Sequence, residues 1–374
     1  MPRSSHRPMA IALAVAVLVS ASATAADLPA RIEAKLDGFL AENPAAPGAS
    51  VTVICPRLGL DLDVVVGSAA RDEARPLTPA HTYRIASNTK TYVAAAVLRL
   101  VERGELALDD VLADHLPPAW VAMLEADGYR PARMTLAQVL AHTSGLAEHP
   151  GDDRYAAAVM ADPHHRWTRE EQLRRCLEWF DPLGEPGERF VYSDTGYILL
   201  GEIIERRTGR GLAAAVRELL AFERLGLEAT WWEQLEPPAP GAGPRAHQYV
   251  GGIDTHAWDP SLDLYGGGGL VSSVRDMAVF MRWLLVGEVL HEQTSLAAMT
   301  GRGTAAYRLG LFAMEVGGHH AFGHSGFWNT FAYHFPALDL TLAGAITSRD
   351  AEPGRVLAAR LVEVITGEGP TRRP

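Results

Sequence analysis

"YRIASNTKTYVAAAVLRL", residues 83–100, contains one of only two lysines in a chain whose 34 basic residues are otherwise arginine. Lysine can lose its proton inside a protein and arginine cannot, so Lys90 stands where a guanidinium could not serve as a base. The plainer reading is a solvated helix residue. The segment from Ser87 to Glu102 is predicted to be helical, with Ala94, Val97, Leu98 and Val101 on one apolar face and Gly104 just past the end. Ser87 then occupies the first turn, and residues three apart share a face, so its hydroxyl can meet the Lys90 amine. The helix end adds free N–H groups and a positive dipole. At its ordinary pKa a lysine costs about 4–5 kcal/mol to deprotonate at pH 7, so a base role requires burial or a nearby cation, and the positive helix end pushes that way.

Working outward, "SVTVICP" (50–56) and "LDLDVVVG" (60–67) read as a hairpin around "PRLG", preceded by an amphipathic helix near Pro29 to Leu40. Strand patterns return only near the C-terminus, in "YRLGLFAMEV", "AFGHSG", "TFAYHFPA" and "LDLTLAGAITS", followed by a helix from about Pro353 to Ile365. Between them apolar residues recur at three and four, interrupted by Pro/Gly loops such as "EPPAPGAGP". The pattern predicts an α+β fold: an antiparallel sheet flanked by helices and formed by both chain ends (26–85 and 300–374), with a mainly helical domain (86–299) inserted and the site at their interface.

Residues 1–25 differ in kind. Arg3, His6 and Arg7 precede an apolar run from Met9 to about Ser20, too short to span a bilayer, and Ala23-Thr24-Ala25 suits signal peptidase. A cleaved signal and a periplasmic or secreted protein without an integral membrane segment are expected. The net charge of −11, with no basic cluster on a predicted element, argues against nucleic acid. Cys55 lies in a strand-like run and Cys176 in a helix-like one, and nothing brings them together, so two buried free thiols are expected. No metal spacing occurs: "HEQTS" from His291 has Ser295 where a zincin needs its second histidine. Neither a metal nor an organic cofactor is expected, and oligomeric state is open.

S-x-x-K alone is a weak signal, but two further motifs join it. "VYSDTGYILLG" places Tyr192, Ser193 and Asp194 in a loop before a helix, and "AFGHSGFWNT" places His324, Ser325 and Gly326 on a strand. S-x-x-K, Y-S-[N/D] and [K/H]-[T/S]-G in this order resemble the serine β-lactamase and penicillin-binding family, in particular its class C and DD-peptidase-like branch. "LVERGELALDDVL", "MTLAQVLAHTSGLAEHP" and "GGGGLVSSVRDMAVFMRWLL" are also similar to its members, so the resemblance covers most of the chain.

The resemblance implies roles. Ser87 would form an acyl-enzyme, Lys90 would accept or relay its proton, and Tyr192, a phenol partly ionised by nearby cations, would pass a proton to the leaving group. The backbone N–H groups of Ser87 and Phe327 would form the oxyanion hole. His324, Ser325, Gly326 and Asp194 would bind substrate, with a protonated His324 attracting a substrate carboxylate. Asp194 stands where many relatives have asparagine; a carboxylate only accepts hydrogen bonds and would keep a nearby Lys90 charged. The expected activity is D-alanyl-D-alanine carboxypeptidase-like or β-lactamase-related hydrolysis of an amide or ester, with small-molecule or peptide substrates such as peptidoglycan peptides or β-lactams. The alternatives are an esterase, a D-amino-acid peptidase whose substrate amine meets Asp194, and a non-catalytic penicillin- or peptidoglycan-binding protein. An α/β-hydrolase is excluded, because "GHSGF" has Phe327 where G-x-S-x-G needs its last glycine. The "GGGG" at 266–269 lacks a following GK[ST] and reads as a flexible turn beside the cleft.

Overall fold

The computed structural model describes residues 27–71 and 73–367, so the expected signal segment lies outside the described residues. After helix α1 (Leu28–Glu42) come strands β1 (Gly48–Cys55), β2 (Leu60–Ala70) and β3 (Glu73–Pro76). A short sheet in the middle of the chain uses β4 (Thr82–Arg84), β5 (Trp231–Trp232) and β6 (Leu270–Ser273). The C-terminal part adds β7 (Phe312–Val316), β8 (His319–Gly326), β9 (Thr330–Phe335) and β10 (Leu340–Ile346). The main sheet is antiparallel with seven strands in the order β3-β2-β1-β10-β9-β8-β7. Both chain ends therefore build it, as the strand patterns predict. At the seam Val51 pairs with Gly344, while Gly59 at φ +65 closes the β1–β2 hairpin that "PRLG" foretells.

Alternation along β1 separates two cores. Val51 and Val53 face α1 and the last helix, Gly354–Thr366, against Ile32, Leu36, Phe39, Leu357 and Leu361. Ser50 and Thr52 point the other way, Ser50 to the Tyr83 hydroxyl at 2.6 Å. On that side lies the helical mass. Its centre is α2 (Thr89–Glu102), beside α3 (Leu136–Leu140), α4 (Asp194–Thr208) and α5 (Val274–Leu285), with α5 lying across β1, β9 and β10. Tyr92 of α2 stacks on Phe280 of α5 at a centroid distance of 3.6 Å.

Two features of α2 differ from expectation. It is buried all round, every residue from Thr89 to Leu100, where a single apolar face is expected, because neighbouring elements enclose it on every side. Small residues permit this: a Cβ on Gly310 would lie 2.4 Å from Ala94. The α-helix also starts at Thr89, leaving Ser87 in a tight 3₁₀ turn, Ala86–Asn88. Ala86 has φ +45, a left-handed conformation that costs an alanine about 1–2 kcal/mol. The surroundings hold it there: the Ile85 carbonyl accepts from Thr330 Oγ1 and Asn88 Nδ2, which ties the end of β8 and the start of β9 to the turn.

The glycine run is buried and tightly fitted where a flexible turn is expected. A Cβ on Gly266 would sit 2.4 Å from the Tyr197 carbonyl, and one on Gly268 only 2.0 Å from the Asp263 carboxyl. Cys55 and Cys176 are both free and buried. Among the described residues no helix is long and apolar enough to cross a membrane.

Candidate active site

Lys90 has no exposed surface, and its ammonium has three acceptors for its three N–H donors. These are Ser87 Oγ at 2.9 Å, the Gly267 carbonyl at 2.5 Å and the Asp194 carboxylate in a direct ion pair. Burial pushes the amine toward neutrality, but the Asp194 charge, aided by Tyr192 and Glu148, outweighs it and raises the pKa above the ordinary value. This reverses the lowering expected from the helix end. Ser87 and Lys90 meet as the spacing predicts, with Lys90 charged.

Tyr192 lies against both Ser87 and Lys90, with its ring centre 4.9 Å from Lys90 Nζ. Burial raises the phenol's pKa in spite of the Lys90 charge, so it stays protonated where partial ionisation is expected. The stretch 142–148, "HTSGLAE", cradles the tyrosine's loop. The His142 carbonyl accepts from Val191 N–H at 2.8 Å, and its Nδ1 from Ser193 N–H at 3.0 Å. The Ala147 carbonyl accepts from Ser193 Oγ at 2.7 Å, and Glu148 Oε2 from Asp194 N–H. Ser193 also caps α4 through Gly196 N–H.

Ser87, Tyr192 and Asp194 open onto a cleft of about 620 Å³, also lined by His324, Ser325, Gly326 and Phe327. His324 differs from its expected role. Tyr307 donates its hydroxyl to Nε2 at 3.0 Å and Nδ1 donates to the Ser325 carbonyl at 2.8 Å, so both nitrogens are occupied. Burial and the Lys90 charge push the ring down to about 3, leaving it neutral rather than a cation for a carboxylate. Ser325 is exposed at the rim, with its hydroxyl bonded to Tyr333. Gly326 is needed for close approach, because a Cβ there would lie 2.2 Å from the Ile85 carbonyl beside the nucleophile turn. Phe327 exposes 44% of its surface.

Five lining side chains are carboxylic acids, against one guanidinium, Arg349, which lies 4.2 Å over the Phe327 ring. Burial and the Asp194 charge hold Glu148 well above the usual carboxyl range and push Asp263 up to about 7. Both can take up charge when a cation enters. Tyr155, Trp258, Phe312 and Trp328 supply apolar walls. Glu148, Asp263, His142 and Tyr307 escape sequence reasoning. Glu148, His142 and Tyr307 lie in strings quoted above and Asp263 just before "GGGG", but only folding brings them near Ser87 and Tyr192. Among the described residues no group of three or more His, Cys, Asp or Glu is arranged to hold a metal ion.

A family model described as "Beta-lactamase" matches residues 32–366. Esterase EstB of Burkholderia gladioli is 36% identical over 220 residues, 57% of this chain and 54% of that protein, so the match spans about half the relative's length. Among solved structures, D-amino acid amidase from Ochrobactrum anthropi SV3 superposes with a TM-score of 0.77 at 24% identity, covering 91% of this chain and 99% of that one. A D-stereospecific amidohydrolase from Streptomyces sp. gives 0.75 at 24% identity, covering 88% and 97%.

Proposed function

The chain belongs to the β-lactamase family, and from that premise we propose a serine hydrolase that cleaves amides or esters of amine-bearing acids through an acyl-Ser87 intermediate. The observation that carries this reading is the contact of Ser87 with Lys90 and Tyr192 on the floor of a cleft whose ionisable lining is almost entirely acidic. A substrate carboxylate finds a neutral His324 there, which weakens the D-alanyl-D-alanine carboxypeptidase and β-lactam readings. An ammonium finds Glu148 and Asp263. Asp194, the amine receptor expected from the sequence, is already committed to Lys90. Amidases of D-amino acids and an esterase among the similar proteins support the same class.

Charge links this preference to the chemistry. With a substrate ammonium in the cleft the Lys90 proton passes to the paired Asp194 carboxylate, and the neutral lysine amine then turns its lone pair to the Ser87 hydroxyl. Ser87 Oγ attacks the carbonyl carbon as its proton passes to Lys90, and the oxyanion is held by the N–H groups of Ser87 and Phe327. Tyr192 hands a proton to the departing nitrogen or oxygen as that bond breaks, and is reprotonated from Lys90. Water entering by the same route, with its proton taken by Lys90, hydrolyses the ester to Ser87.

The reading is tested by following intact mass and product release with D- and L-phenylalanine amide, a p-nitrophenyl ester and a penicillin. Amide turnover with a transient adduct absent from Ser87→Ala is expected. Turnover of the neutral ester alone, favoured by the aromatic walls, would establish a simple esterase. A stable penicilloyl adduct with no turnover would return the protein to penicillin binding. Export, with cleavage after Ala25, and the division into 26–85 with 300–374 against 86–299 belong to the same proposal; N-terminal sequencing of secreted material checks the first.

A further inference from the structure

His142 touches nothing in the cleft, yet it brackets the tyrosine that does. Its backbone carbonyl accepts from Val191 N–H and its Nδ1 from Ser193 N–H, so the residues on both sides of Tyr192 are bonded to this one residue. Its ring centre lies 4.2 Å from that of Tyr192. The imidazole is buried among Tyr192, Tyr197 and Tyr307, the last at 4.6 Å, and Nε2 has no hydrogen-bond partner. Because Nδ1 accepts, the ring must carry its proton on Nε2 and stay neutral. His142 also holds φ +55, a conformation that is uncommon outside glycine, asparagine, aspartate and histidine. That conformation directs its carbonyl and its side chain at the same short segment. Backbone strain, an unpaired buried nitrogen and a two-point grip coincide at a residue with no substrate contact, which marks a device for placing a neighbour.

We propose that His142 is a positioning residue for Tyr192, holding the phenol at proton-transfer distance from Ser87 and Lys90. The proposal rests on the reading of Tyr192 as the proton carrier. Proton transfer is sensitive to displacement on the scale of about 1 Å, and among the described residues His142 bonds the backbone on both sides of Tyr192, once through its carbonyl and once through its ring.

The experiment is a double-mutant cycle on the full chain, measuring kcat and KM for a neutral alkyl ester, whose alkoxide must be protonated to leave, together with thermal unfolding. His142→Leu removes the acceptor, and kcat is expected to fall about 10²-fold with KM nearly unchanged. His142→Asn keeps an acceptor and tolerates the left-handed backbone, so it is expected to recover at least about tenfold of that loss. In a Tyr192→Phe background, adding His142→Leu should cost less than about threefold, because the group it places is already gone. Additive losses, a parallel rise in KM or a His142→Leu enzyme with full kcat would each overturn the proposal. If His142→Leu fails to fold, His142→Asn in the two backgrounds decides the same question through additivity. A fully active Tyr192→Phe would remove the premise instead, while leaving the Ser87 reading to its own test.

Discussion

Lys90 is held charged by the Asp194 carboxylate, which opposes the base role proposed for it. The Asp194 carboxylate contributes the raised pKa, so Asp194→Asn lowers the lysine's pKa and the alkaline rise of kcat/KM for a neutral ester should move to lower pH. A pH profile of the variant beside the parent checks this; an unmoved limb would separate Lys90 from the rate. Lys90→Arg keeps the charge and abolishes the neutral state, and a loss of at least about 10² in kcat is expected by stopped-flow acylation. His324, with its ring neutral down to about pH 3, should leave KM flat between about pH 5 and 8 for an uncharged substrate. The serine and lysine were legible from their spacing on a helix, and the tyrosine only from the motif that carries the family resemblance. The charge states were not. They depend on burial, on the Asp194 ion pair and on Glu148, which comes from a separate loop, and on how many donors and acceptors surround each group once folded.

At the scale of elements, α2 and α4 are fitted rather than merely stacked. Gly201 in α4 lies under the Tyr265 backbone, where a Cβ would come within 2.1 Å of its carbonyl, and Gly268 leaves room for the Asp263 carboxyl. Either alanine substitution forces backbone or a buried acid to move, and a destabilisation of about 1–3 kcal/mol is expected from urea unfolding. Gly209, which has φ +65 but no neighbour within 4 Å, is the contrasting position: strain is confined to its own backbone and should cost about 1 kcal/mol. Periodicity found these helices, because three-and-four spacing survives burial. It misjudged the surroundings of α2, since a single apolar face is expected and the structure buries Thr89, Thr91 and Arg99 as well. Arg99 bonds the Leu219 carbonyl and Glu102, so its polarity is met inside. Polar letters mark a solvent face only when no partner waits in the interior.

For the molecule as a whole, two thiols report on integrity. Burial raises Cys55 and pushes Cys176 up to about 11, and neither has a disulfide partner. Native protein should therefore react negligibly with Ellman's reagent and release two equivalents in denaturant; prompt reaction of one thiol would mean that its core opens. The sheet was readable from the two ends of the sequence because its strands alternate or run apolar. The tight cleft loops from 142 to 148 and 260 to 269 carry no such period, and their form comes from glycine approach and side-chain bonds that only the fold supplies.

The seam between β1 and β10 sets a timetable for the newborn chain. Ala49 pairs with Ile346, so the sheet's centre cannot zip until the helical segments between these two strands have been made. Until that last strand arrives, the early hairpin offers an open edge to any passing strand.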